Sequence, residues 1–367
     1  MGATEIEFSF EERLPAAQTV PARVYTDAEV LDAERGNVFG RTWQLIGRED
    51  QAASPGSFFT AHVGHEPILV VRGADSKLRA LSNVCRHRAG PVAAGAGSCQ
   101  AFRCGYHGWS YALDGRLLNT PEFDGVEGFR KEDQSLPEFR LESWLGLLFV
   151  NLDPAAPSLA ETLEDLPARL AKRRLEAMRP AAKKDWIVEC NWKVYVDNYL
   201  EGYHIPIVHP SLMKELDYAR YVTETKRVYS LQHSPIRESS PGRLKRSASD
   251  DEALYFWIYP NLMLNVYPDN FSTNLILPIT HERTLTLFEW FFLDPDKPGI
   301  ADEIRRTIEF SDEIQLQDIA ICEAVQKGLK SRTYDRGRYS VRRENGVHHF
   351  HSLYARSMRA GTPENSP

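Results

Sequence analysis

The chain has 367 residues, of which 42% are hydrophobic and 26% charged, with a formal net charge of −7 at pH 7. That length suits two domains, or one large core with an inserted module, and the composition is that of an ordinary water-soluble globular protein. No apolar run reaches the ~18 residues of a membrane span, and the acidic balance disfavours nucleic acid or an anionic membrane as partner.

The N-terminal stretch MGATEIEFSFEERLP lacks the basic-then-apolar order of a secretion signal, so the cytoplasm is the expected location. Residues 1–39 read as a lead-in ending in a helix. AEVLDAERGNVF spaces Val30, Leu31 and Val38 helically, and Thr26 stands where a cap would. Residues 40–155 change to short β-rich runs (TWQLIG, SFFTAHV, EPILVVRG, KLRALSNV, LGLLFVNL) separated by Gly, Asp and Pro, which predicts an all-β domain. Residues 156–367 are mixed. ETLEDLPARLAKRRLEAM is expected as helix, and 185–203 start extended and turn helical to about Tyr203. Strand-like runs fill 253–294, and 300–329 form a long amphipathic helix. The expected class is therefore α+β, an all-β domain followed by a mixed helix and antiparallel-sheet domain. The polar stretch 233–252 is expected as a solvated loop, with a lid over the active site as the sharper alternative, and 358–367 as a frayed end.

Five cysteines (Cys85, Cys99, Cys104, Cys190, Cys322) make an odd, sparse set that suits metal ligation better than disulfides. Cys85-Arg86-His87 and Cys104-Gly105-Tyr106-His107 are separated by sixteen residues. Each tip offers one thiolate and one imidazole. Zinc sites usually pair like with like, whereas unlike pairs suit a two-iron cluster, thiolates on one iron and imidazoles on the other. Gly90 and Gly108 supply turns that bring backbone N–H groups near the sulfurs. Cys99 has no matching partner and is expected as a small packed or surface residue.

The second constellation is Asn191-Trp192-Lys193, then Asp197-Asn198-Tyr199-Leu200-Glu201-Gly202-Tyr203-His204, then His209. Pro206 is expected to break the helix, leaving His204 at its end and His209 beyond it, where a turn aims both rings at one metal. Two histidines and a carboxylate on one face of iron(II) leave positions for O2 and substrate. The carboxylate must come from elsewhere. In SDEIQLQDIAICEAVQKGL, Asp318 lies among Ile314, Ile319, Ile321 and Val325, with Asp312, Glu313 and Glu323 as rivals. A buried carboxylate is costly without a partner, and metal ligation supplies one. His348, His349 and His351 are expected to pack near the C-terminus or line a subunit surface, and His62 and His65 to be ordinary surface or turn residues.

SNVCRHRAGPV…FRCGYHGWSYALDGRL resembles the Rieske [2Fe–2S] domain, with Gly105 where that family often has proline. NWK…DNYLEGYH…H with the later QD…CEAVQKGL resembles the catalytic domain of Rieske non-haem iron oxygenases, and the two motifs follow the family's order over nearly the whole chain. The resemblance implies a [2Fe–2S] cluster on Cys85, His87, Cys104 and His107, and a mononuclear Fe(II) on His204, His209 and Asp318. It also implies a head-to-tail homotrimer in which Glu201 bridges a cluster histidine of one subunit and an iron histidine of the next. Many relatives have aspartate at that position. Asp197 and Asn198 are expected as supporting groups. The chain has no Gly-rich dinucleotide fingerprint, so electrons for O2 are expected from a separate NAD(P)H reductase. Glutamate at the bridging position, with the ending EAVQKGLKSRTYDRGR…NGVHHFH, looks most like the branch acting on quaternary ammonium compounds, as a monooxygenase or N-demethylase of a small-molecule substrate. Tyr199, Tyr203, Tyr255, Phe256, Trp257, Tyr259 and Tyr267 are candidates for an aromatic box around such a cation, or else core strand residues. Hydroxylation of an aromatic substrate, and simple electron transfer without oxygenase activity, are the competing readings.

Overall fold

The strand EPILVVR shows how one of the two compact units is built. In the computed structural model, which describes residues 8–238, 244 and 252–359, this unit spans Arg35–Thr162. Two short N-terminal helices, α1 (Arg23–Thr26) and α2 (Ala28–Asn37), precede its strands β1 (Gln44–Arg48), β2 (Ser57–Val63), β3 (Glu66–Arg72), β4 (Leu78–Ser82) and β5 (Ala96–Ser98). Then come β6 (Phe102–Arg103), β7 (Ser110–Tyr111), β8 (Leu117–Asn119), β9 (Glu138–Trp144) and β10 (Leu147–Asn151). Seven strands pair in the order β1-β10-β9-β4-β3-β2-β5, and β6-β7-β8 form a small separate sheet. Ile68–Val71 of β3 are all buried, the mark of a strand covered on both faces. Ile68 and Val70 enter one apolar cluster with Ala80 and Val150. Leu69 and Val71 enter another, with Leu81, Cys85, Cys104 and Trp109. The second face of the strand is thus the floor under both Cys/His tips.

The other unit comprises Met1–Glu34 and Leu163–Pro367, described over 8–34 and the described residues from 163 on. After α3 (Leu159–Leu163) and α4 (Leu166–Leu170) come β11 (Arg179–Val188), α5 (Trp192–Tyr199), α6 (Ile205–Val208) and α7 (Pro210–Glu215). The strands β12 (Val222–Thr225), β13 (Tyr229–Pro235), β14 (Glu252–Ile258), β15 (Leu262–Val266), β16 (Asn270–Thr280) and β17 (Arg283–Phe292) follow, then α8 (Ala301–Leu329) and α9 (Asn345–Arg359). Its seven strands are antiparallel in the order β11-β17-β16-β15-β14-β13-β12. β16 alternates sharply. Phe271 stacks on Phe291 at 4.4 Å, whereas Asn270, Ser272 and Asn274 point to the opposite face, as a period of two requires.

Several local expectations change. Thr26 closes α1 rather than capping the next helix; its hydroxyl donates to the Ala22 carbonyl, and Asp27 accepts the Glu29 N–H. The run from Glu161 to Met178 is not one helix: Pro167 opens α4, and Arg174 adopts a left-handed conformation (φ 54°) between two 3₁₀ turns. α5 stops at Tyr199 rather than about Tyr203. Of the expected loop 233–252, His233–Pro235 belong to β13 and Glu252 to β14. Residues 239–243 and 245–251 lie outside the described residues, as do 360–367 of the expected frayed end. Among the described residues no helix is long and apolar enough to cross a membrane.

Candidate active site

The two Cys/His tips are hairpin ends. Asn83 clamps the first: its Oδ1 accepts the Val92 and Ala93 N–H groups at 3.1 and 2.8 Å, and its Nδ2 donates to the Ala93 carbonyl. Within the tip, Cys85 N–H donates to the Gly90 carbonyl at 2.8 Å. In the second tip Cys104 N–H donates to the Trp109 carbonyl at 2.9 Å, with Gly108 at φ +77° making the turn. A Cβ at Gly90 would lie 3.1 Å from Cys104 Sγ, so glycine is what lets one tip close on the other's sulfur.

Cys85 and Cys104 are buried, and the His87 and His107 rings lie 4.5 Å apart, inclined at 70°. His87 stacks on Trp109, and its Nδ1 is buried without a partner. A buried ring nitrogen that no protein group satisfies, beside two buried thiols, fits a metal cluster. Tyr111 OH sits 3.2 Å from Cys85 Sγ and accepts the Arg86 N–H; burial, and then Cys85, push its own pKa well up. Burial lowers the pKa of His107, as do the neighbouring His87 and Arg88. Cys99 is half-buried against the same cluster of apolar side chains.

The second site lies in the other unit. Asn191 caps α5 by accepting the Lys193 N–H at 3.0 Å. Beyond the end of α5, Glu201 folds back: Oε2 accepts the backbone N–H groups of Tyr203 and His204, and Oε1 lies 2.5 Å from His204 Nδ1. Those bonds start a new turn. Pro206, expected as a breaker, instead opens α6, where its missing N–H costs nothing. His209 falls between α6 and α7. Its ring meets that of His204 at 4.9 Å and 77°.

His204, His209 and Asp318 offer ligand atoms that all lie within 4.8 Å of one another. His209 Nε2 is 2.9 Å and His204 Nε2 3.8 Å from Asp318 Oδ1. Both Nδ1 atoms face acceptors, Glu201 Oε1 and, at 2.6 Å, Gln317 Oε1. Each therefore carries the ring hydrogen, leaving two Nε2 lone pairs and a carboxylate on one point. That donor set fits an iron(II) with open positions. Burial pushes the His209 pKa down, but the hydrogen bond and charge of Asp318 outweigh it and the net shift is upward. Asn198 Nδ2 donates to Asp318 Oδ1 at 2.7 Å. The rival acids are engaged elsewhere: Asp312 with Lys184, Glu313 with Ser211, and Glu323 with the Glu189 N–H.

A cavity of about 130 Å³ opens onto these residues. It is lined by Tyr199, Tyr255 and Tyr267 from the aromatic candidates, and by Tyr221, Phe288 and Trp290, which the sequence reading did not single out. Phe256, Trp257 and Tyr259 do not line it; Phe256 and Trp257 are wholly buried, and Trp257 packs edge-on against Phe350 of α9. Tyr203 is exposed. Asp197 does not reach the cavity. Its carboxylate takes the hydroxyl of Tyr25 at 2.7 Å and His351 Nε2 at 3.0 Å. His348 and His351 are buried on α9. Gln317 was missed because nothing in a periodicity tells which partner a polar side chain will meet. Its place directly before Asp318 is the only signal.

Comparison with known proteins agrees with this geometry. Residues 42–130 match the Rieske [2Fe-2S] domain, and residues 175–360 match the catalytic domain of the ring hydroxylating alpha subunit. The chloroplastic choline monooxygenase of Arabidopsis thaliana is 34% identical over 96% of this chain and 86% of its own length. The carnitine monooxygenase oxygenase subunit of Escherichia coli K12 is 33% identical over 92% and 93%. A solved quaternary ammonium Rieske monooxygenase, described in terms of carnitine oxidation and inter-subunit electron transfer, superposes with a TM-score of 0.86 at 29% identity, covering 97% of this chain and all of the other. Naphthalene 1,2-dioxygenase from Rhodococcus sp. shares the fold, with a TM-score of 0.78 at 20% identity over 94% and 95%.

Proposed function

Because the chain belongs to the Rieske non-haem iron oxygenases, we propose that it is the oxygenase component of a system that hydroxylates an N-methyl C–H bond of a quaternary ammonium compound. The observation that carries this reading is the convergence of His204, His209 and Asp318 at an aromatic cavity, in a chain that also carries the Cys/His tips. A cation lies favourably over ring faces, and Tyr199, Tyr255, Tyr267 and Trp290 supply them.

When bound, the cluster on Cys85, His87, Cys104 and His107 supplies single electrons, and the iron on His204, His209 and Asp318 supplies the place where O2 is activated for insertion into the C–H bond. The protein's own part is positional. Glu201 and Gln317 keep a hydrogen on each Nδ1, so both Nε2 lone pairs stay turned to one point. Asn198 holds one oxygen of Asp318. The aromatic walls keep bulk water from the reacting carbon. Electrons come from a separate NAD(P)H reductase.

Glu201 is also read as the bridge between the cluster of one subunit and the iron of the next in a homotrimer. A stripe on α8 supports such an assembly. Leu316, Ala320, Ile321, Ala324 and Val325 are exposed and spread over one half of the helix circumference. Cytoplasmic location completes the reading.

The test is NADH and O2 consumption with a reductase over choline, glycine betaine, carnitine and simple aromatic acids, with formaldehyde assayed. Turnover of aromatic acids alone would sink the ammonium reading. Iron analysis with an absorption spectrum separates an oxygenase, which holds iron beyond the cluster, from an electron carrier. Glu201→Gln should slow oxidation of the reduced cluster in a single turnover; a rate equal to the parent's would remove the bridging role.

A further inference from the structure

The turn that carries Glu201 leaves a carbonyl behind. In a continuing helix the Tyr199 carbonyl would accept the Tyr203 N–H, four residues on. That N–H goes to Glu201 Oε2 instead, so α5 ends at Tyr199 with an orphaned acceptor. Gln232 of β13 supplies the missing donor: its Nε2 lies 2.5 Å from the Tyr199 carbonyl oxygen. The Gln232 side chain is buried, at 1% exposure.

The other end of the same amide is also engaged. A backbone carbonyl can only accept, so the amide nitrogen faces Tyr199 and Oε1 is left for the Tyr221 hydroxyl, which donates to it at 3.1 Å. Burial, and then the charge of Glu201, push the Tyr221 pKa well up, so the hydroxyl keeps the proton it donates. The Tyr221 ring closes on the backbone just after Glu201: a Cβ at Gly202 would lie 2.7 Å from its Cε1. Gln232 thus reaches Glu201 from both sides, through the carbonyl two residues before it and through the ring against the residue after it. The Tyr199 hydroxyl adds a further tie, 3.1 Å from Asn265 Oδ1 and 3.2 Å from the Phe256 carbonyl oxygen. These ties run to β13, β14 and β15 and leave the Glu201 carboxylate to His204 Nδ1 and the two N–H groups.

We propose that Gln232 is a positioning residue for electron transfer: it holds the backbone on both sides of Glu201 and so sets where that carboxylate stands between His204 and a cluster histidine of the neighbouring subunit. This rests on the bridging role proposed for Glu201 and extends it to the residue that makes the turn possible.

Gln232→Leu keeps the volume and removes both hydrogen bonds, leaving the Tyr199 carbonyl and the Tyr221 hydroxyl without this partner. In a single turnover of the holoprotein it should slow oxidation of the reduced cluster about 10-fold, since one unmet buried group disfavours the held backbone by about that factor. The visible spectrum and reduction potential of the cluster should not move. In the Glu201→Gln background the same change should slow oxidation no further, because the two residues act through one bridge. Without any turnover, amide hydrogen exchange should quicken over residues 201–205, where Glu201 protects the Tyr203 and His204 N–H groups, and stay unchanged over Ile68–Val71. Should Gln232→Leu not fold, Tyr221→Phe, which removes only the hydroxyl, decides: it should slow the same oxidation and quicken the same exchange. A parent rate, a shifted cluster potential, unchanged exchange over 201–205, or a further equal slowing on top of Glu201→Gln overturns the proposal. The two readings fail separately. A parent rate in Glu201→Gln removes the bridge and, with it, the part given to Gln232. A slow Glu201→Gln beside a parent-rate Gln232→Leu removes the positioning alone.

Discussion

The hydrogen at His209 Nδ1 is held by a neutral amide, that at His204 Nδ1 by a carboxylate. The two proposed ligands are thus oriented alike but polarised unequally, with only His204 backed by a negative charge. Gln317→Leu removes the acceptor without touching a ligand. It should weaken Fe(II) binding at this site about 10- to 100-fold, measured by metal titration, and leave the visible spectrum of the cluster unchanged. His349 offers a test of stability. Burial foremost, then Arg356 and His348, lower its pKa from the ordinary 6.5 to about 4. Between those values the unfolded chain binds the proton and the folded chain does not. Its contribution is therefore complete above pH 6.5 and is lost as pH falls toward 4, by up to roughly 3 kcal/mol at ~1.4 kcal/mol per unit. Urea midpoints at pH 7.5 and 5 should lie further apart for the parent than for His349→Gln. At this scale the sequence was informative where chemistry dictates spacing. Cys85, His87, Cys104 and His107 could be singled out as candidate ligands from their intervals, and the structure brings the His87 and His107 rings together. Gln317 could not, because its part depends on which neighbour the fold brings to it.

Elements with a long, regular apolar repeat were readable: α8 was expected over 300–329 and spans Ala301–Leu329. The short ones were not, because single residues decide them. Glu201 begins a new turn by accepting N–H groups, which the apolar pattern does not reveal, and Pro167 and Arg174 cut what looked like one helix. The start of α9 depends on another single residue. A Cβ at Gly346 would overlap the Leu200 carbonyl oxygen at the end of α5, and would also crowd Thr223 at 3.2 Å. Glycine there lets the first turn of α9 rest on the backbone that leads into Glu201. Gly346→Ala should cost roughly 1–3 kcal/mol of stability, seen as a lowered thermal midpoint, and should reduce bound iron because Glu201 is displaced with that backbone.

For the molecule as a whole, the sequence announced an all-β part and a mixed part, since periods of two and of 3.6 are visible without any tertiary knowledge. The proposed association leaves a fainter mark. The apolar stripe on α8 looked in sequence like part of an amphipathic core helix, yet Leu316, Ile321 and Val325 are exposed. On the proposed trimer, replacing Leu316 and Val325 together by glutamate should lower the sedimenting mass to that of one subunit and abolish steady-state turnover, with cluster absorption retained; an unchanged mass would remove α8 from the proposed interface. Glu34 has a consequence of a different kind. Its carboxylate meets Lys193 Nζ at 2.5 Å, Trp192 Nε1 at 2.7 Å and the Tyr354 hydroxyl at 2.7 Å, all buried. Residues from before position 35 and from beyond position 162 therefore share one interior, and the cluster-bearing unit is an interruption in its host's chain. On the ribosome the interruption emerges complete while Glu34 still waits for Tyr354, more than three hundred residues downstream. The electron-carrying unit can close early; the oxygen-handling unit can close only once Tyr354 has emerged.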